Sequence, residues 1–193
     1  MSHFFAITLA LFFVIDALGH IPTYLQLLKP YDSKKQLKIA LRELTIALLI
    51  MFLFHFVGEF LLTLLDITTV TVRIAGGIIL FLIAIRLIFS SEDQVTRWKE
   101  QEPFIVPLAT PIIASPSVLA IIMIFAQEES SSLIVLSAIF VAWFISSILF
   151  LSAKPIYKLF KDSGLEACQR LMGLIVAMIA LQLFVNGLSG AWR

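Results

Sequence analysis

Residues 10–28 read ALFFVIDALGHIPTYLQLL. An uncharged apolar run from Phe4 to Ile15 meets Asp16, Gly19, His20 and Pro22, and then apolar character resumes. A spanning helix needs about 20 mostly apolar residues, because the hydrocarbon core is about 30 Å thick and an α-helix rises 1.5 Å per residue. The stretch is long enough to cross, and it carries a helix breaker near its middle. A carboxylate at that depth costs about 2.5–3.5 kcal/mol on insertion scales, so Asp16 is expected to face a cavity or a partner. DALGHIP (16–22) admits two readings. In one the helix unwinds and offers backbone groups to a ligand. In the other a proline kink is capped by Asp16. They are compatible, since a helix start aimed inward favours an anion.

Composition widens the first observation to the whole chain. Apolar residues make up 60% and charged residues 14%, with a mean hydropathy of +1.02; soluble domains have about 45–50% and about 25%. The chain therefore reads as an integral membrane protein. Fourteen Lys plus Arg against thirteen Asp plus Glu leave no basic face for nucleic acid. Cys168 is the single cysteine, so no intrachain disulfide or CxxC site can form. Ser2 and His3 precede Phe4 without a basic n-region, so the first segment is expected to be retained as a helix.

Six segments reach spanning length, near 4–28, 38–62, 72–90, 103–126, 132–153 and 168–189. The expected class is an all-α membrane protein of one integral domain, residues 1–193. Lysine and arginine mark the odd loops: Lys29, Lys34, Lys35 and Lys38 in the first, Arg97 and Lys99 in the third, Lys154, Lys158 and Lys161 in the fifth. Cytoplasmic loops retain such residues, which predicts both termini on the outer side.

The two halves resemble each other. VRIAGGIILFLIAI (72–85) parallels QRLMGLIVAMIALQ (169–182), so Arg73 and Gly76 match Arg170 and Gly173 at an offset of 97. Segments one and four are both broken, by DALGHIP and by TPIIASPS (110–117). Three spans per half require the second half to be inverted, giving two inverted three-helix repeats, about 1–92 and about 103–193. Paired broken helices in such repeats point to a transporter's midplane site. The expected substrate-binding residues are Asp16, Gly19, His20, Pro22, Thr110, Pro111, Ser115, Pro116 and Ser117.

Other polar residues have ordinary explanations beside functional ones. Glu43 lies about one turn inside segment two, where a local pair with Lys38 or Lys35 and a coupling role are both open. Arg73, Arg86 and Arg170 lie near helix ends, where snorkelling is expected. Gln182 and Asn186, spaced i to i+4, either bond across helices or line a polar path. Gly76, Gly77, Gly173 and Gly187 suggest faces where backbones approach closely. His3, His20 and His55 stand apart without Cys or paired carboxylates at ligand spacing, so neither a metal nor a cofactor is expected. No HExxH, Walker A, GxGxxG or nucleophile elbow is present, which argues against an enzyme.

Together, DALGHIP, RELTIALL (42–49), RIAGGIILFLIAI (73–85), EPFIVPLATPIIASPS (102–117) and RLMGLIVAMIALQLFVNG (170–187) make the chain resemble the MarC family of bacterial inner-membrane proteins. That family is related to SnatA-type small neutral amino acid transporters. The resemblance covers essentially the whole length. It implies six spans in two inverted repeats, outside termini, a bacterial inner-membrane location, and export or exchange of small neutral amino acids. The family pattern DPxGN becomes Asp16, Ala17, Gly19 and His20 here, and the glycine of AGP becomes Ser115. Those changes put substrate preference in question. The expected partners are an amino acid-like solute and the lipid bilayer, with homo-oligomerisation open and no nucleic acid. A channel on the same scaffold and a non-transporting membrane partner protein are the rival readings.

Overall fold

The computed structural model describes residues 2–89, 113–129 and 131–191, all-helical apart from short turns and caps. Thr110 and Pro111 lie outside the described residues. Segment one is two helices, α1 (Ser2–Ile15) and α2 (Ile21–Leu28), separated by a turn over 16–20. α3 (Ser33–Leu64) and α4 (Thr69–Phe89) complete the first half. α5 (Pro116–Glu128), α6 (Ser132–Leu151) and α7 (Ala153–Ala191) follow in the second.

Among the described residues, four helices are long and apolar enough to cross a membrane: Ser33–Leu62, Thr69–Phe89, Ser132–Leu151 and Ala153–Ala191. His3–Ile15 and Pro116–Glu128 are apolar but shorter, because a break interrupts segment one and Pro116 starts α5. Large side chains such as Leu49, Phe60, Leu82 and Leu133 point outward, as hydrocarbon permits and water would not. The interior is filled instead by small and branched residues, Ala47, Leu80, Ala84, Val118, Ala138, Ala142 and Val176 among them.

The expected fifth connection, 154–167, is not a loop but part of α7. Pro155 is tolerated in the first turn of a helix, where the missing N–H has no intrahelical partner to lose. The direction change falls on Lys161, whose φ of 54° and ψ of −169° interrupt the helix. Glu166 and Arg170 then pair one turn apart on the same helix.

α4 and α7 run antiparallel against each other, as the glycine contacts show. A Cβ on Gly77 would sit 2.7 Å from the Phe184 backbone nitrogen, one on Gly187 2.9 Å from that of Ile74, and one on Gly173 3.1 Å from the Ala84 carbonyl oxygen. With no hydrophobic driving force between helices in lipid, this close approach supplies the packing contacts that hold the pair. Elsewhere α1 packs on α6, α3 on α5, and α5 on α4. The Trp143 indole N–H of α6 donates to the Leu44 carbonyl of α3 at 2.8 Å, tying those two helices together.

Candidate functional site

Asp16 ends α1 by adopting a left-handed backbone, φ 48°, a conformation that Asp tolerates better than most residues. Its carbonyl accepts the His20 amide at 3.2 Å, and the Ile21 amide donates to the Leu18 carbonyl at 3.2 Å. The chain thereby turns once and restarts as α2, with His20 at the N-cap and Pro22 in the first turn. Proline fits there because that position needs no N–H. The break is a closed turn rather than an unwound strand.

Asp16 is fully buried. Its Oδ1 accepts the Gly19 amide at 3.2 Å, and its Oδ2 accepts Gln169 Nε2 at 2.8 Å. Hydrogen bonds to a charged group contribute about 1.5–3 kcal/mol each, enough together to offset the insertion cost of a buried carboxylate. His20 Nδ1 lies 2.8 Å from the Asp16 carbonyl oxygen, which can only accept, so Nδ1 carries the proton. The same nitrogen is 3.9 Å from Oδ2. The Nε2 side of the ring is left for another contact. Gly19 leaves no room for a side chain, since a Cβ there would lie 2.7 Å from Gln169 Cδ and 2.8 Å from Asp16 Oδ1.

Asp16, Gly19 and His20 are thus brought together, and Gln169 of segment six joins them. Sequence reasoning missed Gln169. The available signal was a glutamine opening the QRLMG run that pairs with the first half.

Ser115 is the N-cap of α5, its hydroxyl accepting the Val118 amide at 3.3 Å. Pro116 occupies the first turn and is exposed, while Ser117 is half-buried. The Ser115 cap bonds run within its own helix. They satisfy part of the helix start that the sequence had offered to a ligand.

Glu43 is buried and receives Arg42 Nε at 2.9 Å and Nη2 at 2.6 Å. The neighbouring arginine is thus one ion-pair partner of Glu43, for which a pair with Lys38 or Lys35 and a coupling role had both been open; the Arg42 fork reaches it while staying exposed. Arg73 does not simply snorkel either: its Nε bonds Glu128 of α5 at 3.0 Å. Gln182 Nε2 donates to Asn186 Oδ1 at 2.9 Å. Both line a cavity of about 490 Å³ with His3, Glu128 and Glu129, and His3 Nδ1 stands 3.1 Å from Glu129. A second cavity, about 130 Å³, opens at the lysine-bearing end between Tyr24, Gln36, Ala40, Phe150 and Lys154. Two of its lining rings, Tyr24 and Phe150, have centroids 5.1 Å apart. Among the described residues, no group of three or more His, Cys, Asp or Glu side chains could hold a metal ion.

A family model described as "MarC family integral membrane protein" matches residues 1–192. A UPF0056 membrane protein of Buchnera aphidicola from Schizaphis graminum is 42% identical over 194 residues, covering 100% of this chain and 98% of its own. The UPF0056 inner membrane protein YhgN of Escherichia coli K12 is 38% identical over 191 residues, covering 97% of each. A Chlamydia trachomatis UPF0056 membrane protein is 35% identical over 192 residues, covering 98% of this chain and 94% of its own. No solved structure gives a significant match.

Proposed function

The chain belongs to the MarC family of integral membrane proteins, and from that premise we propose that it is a secondary transporter of the bacterial inner membrane. It exports or exchanges small neutral amino acids through a midplane site between broken segments one and four. The single observation that carries the reading is the buried Asp16 carboxylate, placed in a helix break and held by Gly19 and by Gln169 of another segment. A buried carboxylate inside a membrane bundle is costly, and such groups typically serve ion or substrate paths.

Helix pairing supports the inverted repeat behind this proposal. Exchanging the halves turns segment one against five into segment four against two, and both pairs pack, as α1 on α6 and α5 on α3. It turns three against four into six against one, and these also pack. The α4 and α7 pair maps onto itself. A carrier with this symmetry opens alternately to either side. Tyr24 and Phe150 would close the cytoplasmic side, between the small cavity and the level of the break, and the cavity lined by Gln182 and Asn186 would form the outer vestibule. Glu43 stays a coupling candidate on burial alone. Proton coupling through Asp16 or His20 and uncoupled exchange are both compatible with the arrangement.

The test is counterflow of labelled L-alanine into proteoliposomes preloaded with unlabelled alanine. Saturable counterflow fits a carrier; flux at conductance rates without counterflow would mean a pore, and no flux of either kind a non-transporting partner protein.

A further inference from the structure

The carboxylate of an amino acid needs several hydrogen-bond donors, and the segment-one break spends part of its own supply internally. The amides of Gly19, His20 and Ile21 are taken by Asp16 Oδ1, the Asp16 carbonyl and the Leu18 carbonyl. Pro22 has no N–H. A second element is needed to complete the donor set.

Ser146 and Ser147 of α6 meet that requirement. Their residues are 0% and 6% exposed, and neither hydroxyl has a hydrogen-bond partner among the described residues. A hydroxyl inside a membrane helix ordinarily bonds back to a carbonyl of the preceding turn. Thr8, Thr45 and Ser137 do so here, to Phe4, Leu41 and Ile134. An unbonded buried hydroxyl is costly to keep. Two adjacent ones on the buried side of one helix call for a reason.

Their level in the bundle supplies it. His3 lies beside Glu129, just before α6 begins, so α1 and α6 start at the same end. The Tyr24 and Phe150 rings meet farther along the same two segments. His20 stands one turn before Tyr24, and Ser146 and Ser147 stand about one turn before Phe150. The hydroxyl pair therefore sits at the depth of the break. It also lies about one helical turn from Phe150, which lines the small cavity.

We propose that Ser146 and Ser147 are binding residues that donate to the carboxylate of the transported amino acid at the level of the Asp16–His20 break. The assignment rests on the transport reading above. Serine hydroxyls left unbonded in the closed protein gain their partner when substrate enters, so bound substrate removes the penalty of their burial.

The experiment compares Ser146→Ala and Ser147→Ala with the wild type in two measurements: L-alanine counterflow in proteoliposomes, and melting temperature in detergent without alanine. Each variant should raise the apparent KM for alanine about tenfold, as loss of a charge-assisted hydrogen bond does. Each should melt at or above the wild-type temperature, because an unbonded polar atom has been removed. An unchanged KM overturns the proposal, and so does a lowered melting temperature, which would mean that the hydroxyls are bonded structural groups. Absence of counterflow in the wild type defeats the transport reading instead, and the melting temperatures still judge the hydroxyls.

Discussion

Gln169 donates its side-chain amide to Asp16 Oδ2 at 2.8 Å across 153 positions of sequence, joining the sixth segment to the break in the first. This bond makes the break a tertiary feature rather than a local kink. Both partners are set by what surrounds them: Asp16 by its left-handed backbone, and Gln169 by the space that Gly19 leaves open.

Gln169→Leu keeps the volume and removes the donor, leaving a buried carboxylate oxygen short of a partner. The expected loss is about 1–3 kcal/mol of stability, together with loss of alanine counterflow. A melting curve in detergent beside the flux assay checks both. Wild-type stability in Gln169→Leu would mean that the bond carries nothing.

Gly19→Ala places a methyl group 2.7 Å from Gln169 Cδ and 2.8 Å from Asp16 Oδ1. Something must shift, and the Asp16 cluster is what lies there. Counterflow should fall at least tenfold while the protein still folds and purifies as a monodisperse species, a split that a purely structural glycine would not produce.

Gly77→Ala tests the α4 and α7 seam, because its new Cβ meets backbone, 2.7 Å from the Phe184 nitrogen. Backbone cannot move aside as a side chain can, so overpacking of about 1–3 kcal/mol is expected. Gly190→Ala is the control on the same seam: among the described residues its Cβ would meet only Val70 Cγ2, at 3.2 Å. Thermal unfolding should separate the two, and equal melting temperatures would contradict the antiparallel backbone contact.

Trp143→Phe removes the indole N–H that reaches the Leu44 carbonyl at 2.8 Å. The ring remains and the carbonyl keeps its place in α3, so the loss should be modest, about 0.5–1.5 kcal/mol. A larger fall in melting temperature would show that this bond is not an accessory to the α3 and α6 packing.

The position of the break was legible because its signals are local. Aspartate, glycine and proline in an apolar run each disfavour a continuous helix, and together they fix where α1 stops and α2 starts. The close-packed glycines of segments three and six were legible for the same reason. Gln169 was not, since its meaning depends on a carboxylate in the opposite half of the chain. Ser146 and Ser147 were hidden differently: in sequence a serine pair in a membrane helix looks like small packing residues. The fifth connection misled because its lysines read as a loop, although its remaining residues sustain a helix interrupted only at Lys161. Arg73 misled in turn because an arginine at a helix end ordinarily reaches for the interface, and its pairing with Glu128 depends on α5 lying beside it.

Counterflow of labelled L-alanine in proteoliposomes of wild type, Asp16→Asn and Asp16→Ala decides whether the buried carboxylate serves transport. Asparagine retains an acceptor for Gly19 or Gln169 and tolerates the left-handed backbone, whereas alanine keeps neither property. Saturable counterflow is expected in the wild type and none in Asp16→Ala, with Asp16→Asn folded and at least tenfold impaired. Wild-type flux in a correctly folded Asp16→Ala protein would contradict that expectation.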